Sequence, residues 1–146
     1  VILRDPVERA FSHWKMEYYK GNDKEDFSSA IRKEEERLKG RKHRIFSYKS
    51  RGLYTHQLDR INTFFPAKNI LILKTENLKN NHQDTLKSVF DFLELNCIHI
   101  KGKVVQPNSM RNYKSNVVMS KYEKEYLENF FNIEKNKLKS RYNISI

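Results

Sequence analysis

Val1-Ile2-Leu3-Arg4-Asp5-Pro6-Val7-Glu8-Arg9-Ala10-Phe11-Ser12-His13-Trp14, the first fourteen residues of the sequence, decide the fold. The three leading apolar residues are typical of a strand that is covered on both faces. Asp5 suits the N-cap of a helix, and Pro6 suits the first turn, where no backbone N–H is needed. This stretch therefore predicts a strand that ends at Leu3 and a helix from about Pro6 to Tyr19.

Two polar side chains of this stretch are candidates for binding an anion. Arg4 directly follows the predicted strand, and open α/β sheets bind their ligands at the carboxyl ends of their strands. Ser12 lies about two turns along the predicted helix. An arginine fork and a hydroxyl group together suit a phosphate. From spacing alone, an ordinary strand–helix corner, in which Arg4 pairs with an acidic side chain, remains the alternative.

The rest of the chain alternates between helical patterns and one further strand. Asn69 to Lys74 contains four consecutive apolar residues between polar ones, which is typical of a central parallel strand. Ser120 and Glu123 form a capping box at the start of the last helix. The order of elements predicts parallel pairing through right-handed crossovers, and hence an α/β fold. Helices are predicted from Asp26 or Ser28 through Lys39, from Ser50 to about Phe65, from His82 to Leu95, and from Ser120 to about Leu138.

Charge restricts the class of partner without naming one. The 146 residues contain 29 Lys and Arg against 18 Asp and Glu, which gives a net charge of +11. Such a balance favours nucleotides, anionic glycans, nucleic acids or anionic lipids as partners. Seven cations and no acid lie between Arg37 and Leu58. No apolar run approaches the ~18 residues of a membrane span, and the single Cys97 excludes an internal disulfide.

The segment Leu3 to Trp14 resembles the 3′-phosphate-binding segment of sulfotransferases that use 3′-phosphoadenosine 5′-phosphosulfate (PAPS). The closest likeness is to the heparan-sulfate-type group and its bacterial relatives. The resemblance implies a P-loop-like α/β fold, in which a parallel sheet is flanked by helices. It implies that Arg4 and Ser12 hold the 3′-phosphate of PAPS or of its product PAP, with no metal required. It also implies a hydroxyl or amine acceptor on a glycan or a small molecule.

Three further segments resemble parts of the same family. Arg51 to Leu58 is similar to an element that packs near the nucleotide, which implies Arg51, Gly52 and Tyr54 as contacts. The basic stretch before the last helix is similar to a loop that closes over the 3′-phosphate. In that loop the resemblance implies Arg111 and Lys114. Glu76, after the second strand, corresponds to an acid that supports the site, and its use as a catalytic base is the less favoured alternative.

Two parts that the chemistry requires are not visible in the sequence. Relatives cradle the 5′-phosphosulfate with a Lys-containing, Gly/Thr-rich loop, and no such loop occurs in the 146 residues. The catalytic base and the loop lysine are therefore expected upstream of Val1. Residues 1–146 are predicted to be the carboxyl-terminal portion of a single sulfotransferase domain, inactive by itself. His13 is a candidate for a catalytic base within these residues, but the preferred interpretation is that it makes a structural hydrogen bond.

Two other functions and the compartment remain open at this point. A non-enzymatic basic module that binds anionic glycan or nucleic acid is the main alternative. Nucleic acid is not the favoured partner, because the chain has no RNP-type aromatic motif and no zinc pattern. A kinase-like nucleotide enzyme lacks support, since neither a Walker loop nor an evident Mg²⁺-binding acid is found. The lone cysteine and the resemblance favour a cytoplasmic, bacterial-type enzyme, with the Golgi lumen as the alternative.

Overall fold

A computed structural model describes residues 1–40, 43–96 and 117–146 of the chain. The predictions made for Cys97, Arg111 and Lys114 lie outside the described residues. Short 3₁₀ turns occupy Ser50–Gly52 and Ala67–Asn69. The strands are β1 (Ile2–Leu3) and β2 (Leu73–Lys74), and the helices are α1 (Pro6–Tyr19), α2 (Phe27–Arg32), α3 (Glu34–Leu38), α4 (His43–Phe46), α5 (Tyr54–Phe64), α6 (Thr75–Asn80), α7 (His82–Phe92) and α8 (Lys121–Tyr142).

The two strands pair in parallel, as the order of elements predicts. Ile2 lies opposite Leu73, and Leu3 lies opposite Lys74. The prediction of a strand over the whole of Asn69 to Lys74 is wrong. A 3₁₀ turn covers its start, and only the two residues that lie opposite β1 form the ladder. Strand length is thus limited by the partner, since a strand needs a neighbour for its backbone hydrogen bonds.

Helix α1 begins and ends where the sequence predicts. The Asp5 carboxylate accepts hydrogen bonds from the backbone N–H groups of Val7 (2.9 Å) and Glu8 (3.0 Å), and Pro6 occupies the first helical position. Gly21 follows the helix with φ +74°, a conformation that glycine adopts without steric cost. The predicted capping box at the start of α8 is also confirmed, with both hydrogen bonds between Ser120 and Glu123 present.

Four helix boundaries differ from the prediction. The helix from Asp26 to Lys39 is split at Lys33, and α3 then carries the Glu34 carboxylate inward to a loop. The helix predicted from Ser50 begins only at Tyr54, after a 3₁₀ turn. Helix α7 ends at Phe92, where the left-handed Glu94 (φ 56°) stops it, and α8 continues to Tyr142, where the left-handed Asn143 caps it.

The core lies mainly between α1, α2 and α8. Leu127 and Phe131 on α8 are fully buried, but Tyr122 is 57% exposed and Phe130 is 39% exposed. Tyr122 instead accepts a hydrogen bond from the Arg32 guanidinium at the surface. A smaller cluster joins the sheet to α5 and to the end of α8. The main cluster contains Val7, Trp14, Phe27, Ile31, Tyr48, Leu127 and Phe131, and the smaller one contains Leu3, Tyr54, Leu58 and Leu138.

None of the helices in the described part of the chain is long and apolar enough to cross a membrane.

Candidate anion-binding site

Arg4 lies at the carboxyl end of β1, between a buried strand residue and the cap of α1. Its side chain is 34% exposed, and its Nη2 atom is 3.5 Å from Oε2 of Glu8, which is itself 53% exposed. The acidic partner that the alternative interpretation requires is therefore present. However, such an exposed pair is worth only about 0–1 kcal/mol. The guanidinium thus stays accessible to a stronger anion.

Ser12 lies farther along the same helix, at a half-buried position. The rise of an α-helix places it about 9 Å beyond Pro6 along the axis. Within the described residues, no hydrogen bond engages the Ser12 hydroxyl group. A hydroxyl group that is not engaged by its own helix is available as a donor to an anion.

Two further arginines add positive charge beside Arg4. Arg9 is half-buried and donates from Nη2 to the backbone carbonyls of Ser47 (3.3 Å) and Tyr48. Burial lowers the pKa of Arg9, and the nearby charges of Arg51 and Arg4 lower it further. Repulsion from Arg51 and Arg4 thus acts on the Arg9 guanidinium, while Tyr54 and Glu34 act in the opposite direction. A bound anion would relieve that repulsion.

His13 occupies the buried side of α1 next to Ser12. Its Nε2 atom lies 3.2 Å from the backbone oxygen of Arg44 and 3.9 Å from Oε1 of Glu17. The predicted structural hydrogen bond is therefore present. Burial lowers the pKa of His13, and the charges of Arg9 and Arg51 act in the same direction. A buried, neutral imidazole held by a backbone carbonyl suits a structural role.

Tyr54 is brought directly to Arg4, although the two are fifty positions apart. Its ring is 7% exposed, and its hydroxyl group donates a hydrogen bond of 3.0 Å to the backbone carbonyl of Arg4. Burial raises the pKa of Tyr54, so the hydroxyl group keeps its proton. Of the predicted site residues, the structure describes Arg4, Ser12, Arg51, Gly52 and Tyr54. It brings Tyr54 to Arg4, whereas within the described residues no hydrogen bond joins Ser12 to either of them. Arg111 and Lys114 lie outside the described residues.

Glu76 lies near the same end of the sheet but is exposed. It follows Thr75, whose hydroxyl group donates to the backbone carbonyl of Leu3 (3.0 Å) and so ties the start of α6 to β1. In the part of the chain that the structure describes, no group of three or more His, Cys, Asp or Glu side chains could hold a metal ion.

Sequence reasoning missed two buried glutamates that support the site. Glu34 accepts hydrogen bonds from the backbone N–H groups of Lys49 (2.5 Å) and Ser50 (2.8 Å), and Glu134 accepts one from Thr55 (2.5 Å). Glu34 lies in a charged run that looks like a solvated face, so no local signal marks it. Glu134 had a signal, because it lies on the apolar stripe of α8, which comprises Leu127, Phe131, Glu134 and Leu138.

The fold defines a class of protein: an α/β protein with parallel strands, in which Arg4 follows β1 and Ser12 lies on α1 as candidate anion-binding residues. Comparisons with known proteins agree with this class. The family described as "Sulfotransferase domain" matches residues 1–144. The chain therefore belongs to the sulfotransferase domain family.

Two individual proteins show how much of a relative this chain represents. It is 32% identical over 96 residues to the membrane-associated sulfotransferase kil1 of Dictyostelium discoideum, which covers 66% of this chain and 19% of that protein. The crystal structure of a sulfotransferase from Alicyclobacillus acidocaldarius superposes with a TM-score of 0.81 at 21% identity. That match covers 99% of this chain and 54% of the other. The predicted P-loop-like α/β fold is thus confirmed, and the chain spans about half of the solved relative.

Proposed function

We propose that this chain carries the 3′-phosphate-binding part of a sulfotransferase that uses PAPS. The observation that carries the proposal is the placement of an accessible Arg4 at the end of β1 and of Ser12, whose hydroxyl group no described residue engages, on the helix that follows. PAPS, when bound, supplies an activated sulfuryl group for transfer to a hydroxyl or amine acceptor. The chain's own task is to hold and orient the nucleotide.

Charge and hydrogen bonding divide the work among the site residues. The Arg4 guanidinium presents a planar fork of donors to the 3′-phosphate, and the Ser12 hydroxyl group adds another donor from the side of α1. Arg111 and Lys114 are proposed to close over the same phosphate. Positioning and charge stabilisation do most of the work in such a transfer, so a well-held nucleotide is itself a catalytic contribution.

The acceptor and the cellular compartment are proposed only in general terms. A glycan or a small molecule with a free hydroxyl or amine group remains the predicted acceptor. The cytoplasmic location stays a prediction, and the Dictyostelium relative is named as membrane-associated.

We also propose that residues 1–146 form only the carboxyl-terminal part of the catalytic domain. An apolar groove of about 430 Å³ lies open beside β1, α5 and α7, and it is lined by residues such as Val1, Phe65 and Leu93. Open apolar surface of this kind marks a place where another element packs. The solved relative has nearly half of its chain beyond the matched part, and we propose that a corresponding part of this protein packs against the groove. The loop lysine and the catalytic base are proposed to lie in that part.

Calorimetric titration with adenosine 3′,5′-bisphosphate and adenosine 5′-monophosphate tests the nucleotide proposal. The wild-type protein should prefer the bisphosphate, and Arg4→Ala should remove most of that preference. A charge-assisted hydrogen bond is worth roughly 1.5–3 kcal/mol, so a loss of about 10- to 100-fold is expected. Arg141→Ala is the matched control, because Arg141 is an exposed arginine that pairs with Asp59. An Arg4→Ala protein that binds the bisphosphate with wild-type affinity would contradict the proposal.

The alternative is a basic module that binds anionic glycan or nucleic acid without catalysis, which the net charge of +11 favours. Binding would then fall steeply with salt and would not distinguish the bisphosphate from the monophosphate. Titrations with both nucleotides at low and at high salt therefore separate the two functions.

A further inference from the structure

Two consecutive residues of α8, Glu134 and Lys135, contact the segments on either side of the Arg4 site. No sequence motif marks either residue. Glu134 is 6% exposed, and its Oε1 atom accepts the backbone N–H of Thr55 at 2.5 Å. The Nζ atom of Lys135 lies 2.6 Å from Oδ2 of Asp5. One turn of α8 thus contacts both the start of α5 and the residue that follows Arg4.

The first of these contacts continues to Arg4 through a neighbouring side chain. Glu134 fixes the first turn of α5, where Tyr54 is the first helical residue. The Tyr54 hydroxyl group then donates to the backbone carbonyl of Arg4 at 3.0 Å. A hydrogen bond to that carbonyl restrains the peptide plane that follows the Arg4 Cα atom. It therefore restrains the direction in which the guanidinium leaves the backbone.

The second contact fixes the next residue. One carboxylate oxygen of Asp5 accepts from the backbone N–H groups of Val7 and Glu8, and the other oxygen faces Lys135. Burial alone would raise the pKa of Asp5. The hydrogen bonds from Lys135 and from the Glu8 backbone more than offset this, so the pKa of Asp5 is lowered and the carboxylate stays charged. Arg4 is consequently held from both sides, through its own carbonyl and through the residue after it.

The same face of α8 is closely packed against its neighbours. A Cβ atom added to Gly52 would lie 2.7 Å from the Phe131 ring and 3.1 Å from Cβ of Pro6. The backbone of the loop before α5, the start of α1 and α8 are therefore in direct contact. Interiors packed in this way transmit displacements instead of absorbing them.

We propose that Tyr54 and Lys135 are positioning residues, which hold the Arg4 guanidinium in the direction that receives the phosphate of the nucleotide. The proposal rests on the proposed function of Arg4 and extends it to residues that need not touch the ligand. Its physical basis is preorganisation: a guanidinium that is already aimed loses less conformational freedom when the phosphate binds. Family resemblance predicted Tyr54 as a nucleotide contact, whereas the geometry directs its hydroxyl group to Arg4.

Two conservative variants test this role in the intact natural protein. Tyr54→Phe removes only the hydroxyl group, and Lys135→Met keeps the aliphatic stem without the charge. Each should weaken binding of adenosine 3′,5′-bisphosphate by about three- to tenfold, the worth of one hydrogen bond, as measured by calorimetry. Binding of adenosine 5′-monophosphate should change by less than about twofold, because that ligand has no 3′-phosphate. Tyr122→Phe and Lys121→Met are matched controls, since both residues are exposed on α8.

A double-mutant cycle separates positioning from a direct contact or a general loss of structure. In an Arg4→Ala background, Tyr54→Phe and Lys135→Met should cause no further loss of bisphosphate affinity, because there is no guanidinium left to aim. Equal losses in both backgrounds, or equal losses for both nucleotides, would overturn the positioning role.

The two proposals fail in different ways. A wild-type protein that does not prefer the bisphosphate contradicts the proposed function, and the positioning role with it. A preference that depends on Arg4 but is indifferent to Tyr54→Phe and Lys135→Met contradicts the positioning role alone.

Discussion

The two sides of this molecule differ in how completely their apolar residues are covered. The cluster between α1, α2 and α8 contains large side chains that are at most 3% exposed, among them Trp14, Phe27, Ile31, Leu127 and Phe131, although Tyr18 and Ile133 on the same helices are 40% and 67% exposed. Around β1, α5 and α7, side chains of the same kind are exposed, among them Ile2 (57%), Phe64 (70%), Phe65 (57%) and Leu93 (54%). The amino-acid types are alike on both sides, so composition does not explain the difference. The difference is explained by whether a packing partner covers the apolar side chains.

The exposed side therefore indicates an interaction surface. A two-stranded sheet is marginal by itself, and its apolar run suits a strand that is covered on both faces. The helical side carries the candidate anion-binding corner and the contacts that support it. We infer that the helical side forms its core without help, whereas the sheet side obtains its cover from the rest of the catalytic domain.

Truncation of one phenylalanine on each side gives the largest expected contrast. Phe131→Ala empties a fully buried site and should lower the free energy of unfolding by about 3–5 kcal/mol. Phe65→Ala removes a side chain that is 57% exposed and should change it by no more than about 0.5 kcal/mol in a protein of these 146 residues. Urea denaturation monitored by circular dichroism measures both.

Repeating the Phe65→Ala measurement in the intact natural protein sharpens the contrast. If the rest of the domain covers the groove, the cost of Phe65→Ala should rise to about 2 kcal/mol or more, as for other buried aromatic residues. An unchanged cost in both proteins would mean that the sheet side stays open, and the proposed completion of the domain would be wrong.

Removal of one carboxylate from each side gives the next largest effect. Asp23 is fully buried and accepts hydrogen bonds from Arg37 (2.7 Å) and the Tyr48 hydroxyl group (2.5 Å). Asp23→Asn leaves the Arg37 charge without a buried partner, so about 3 kcal/mol of stability should be lost. Asp59→Asn is the matched control. Its partner Arg141 is exposed, and at most about 1 kcal/mol is expected.

The pH dependence of stability provides an independent check on the ion pair between Asp23 and Arg37. Burial by itself raises the pKa of Asp23, but the hydrogen bonds from Arg37 and Tyr48 dominate and lower it. A lowered pKa means that Asp23 contributes its stability above the ordinary carboxyl pKa of 3.8 and loses it as the pH falls through the lower, folded-state value. Acid titration of stability should therefore be flatter in Asp23→Asn than in the wild-type protein. Equal slopes would contradict the buried ion pair.

Local signals predicted much of the helical side. Asp5 and Pro6 start α1 and Gly21 follows its end, so both boundaries could be predicted from adjacent residues. The capping box of α8 is local in the same sense. The candidate site was predicted at Arg4 and Ser12 because the nine consecutive residues from Arg4 to Ser12 carry both side chains and the motif around them.

The remaining features depend on partners that are distant in the sequence. Glu34 and Glu134 are buried because they accept backbone N–H groups 15 or more positions away, and no local pattern reveals such a bond. The length of β2 likewise depends on how much of β1 lies opposite it. Tyr54 was predicted near the nucleotide, but its contact with the Arg4 carbonyl required the tertiary structure.

The smallest expected effect compares one histidine within the core with one at the surface. Burial, reinforced by the charges of Arg9 and Arg51, lowers the pKa of His13 below its ordinary value of 6.5. The folded protein then resists protonation that the unfolded chain accepts. Stability should be at its full value above pH 6.5 and should decline as the pH falls through the lower folded-state pKa.

His13→Gln should remove this decline, because the variant has no imidazole to protonate. His56→Gln, at an exposed position on α5, should leave it unchanged. Urea denaturation at half-unit steps from pH 7.5 to 5 measures the slope, and a decline that persists in His13→Gln would assign it to another group.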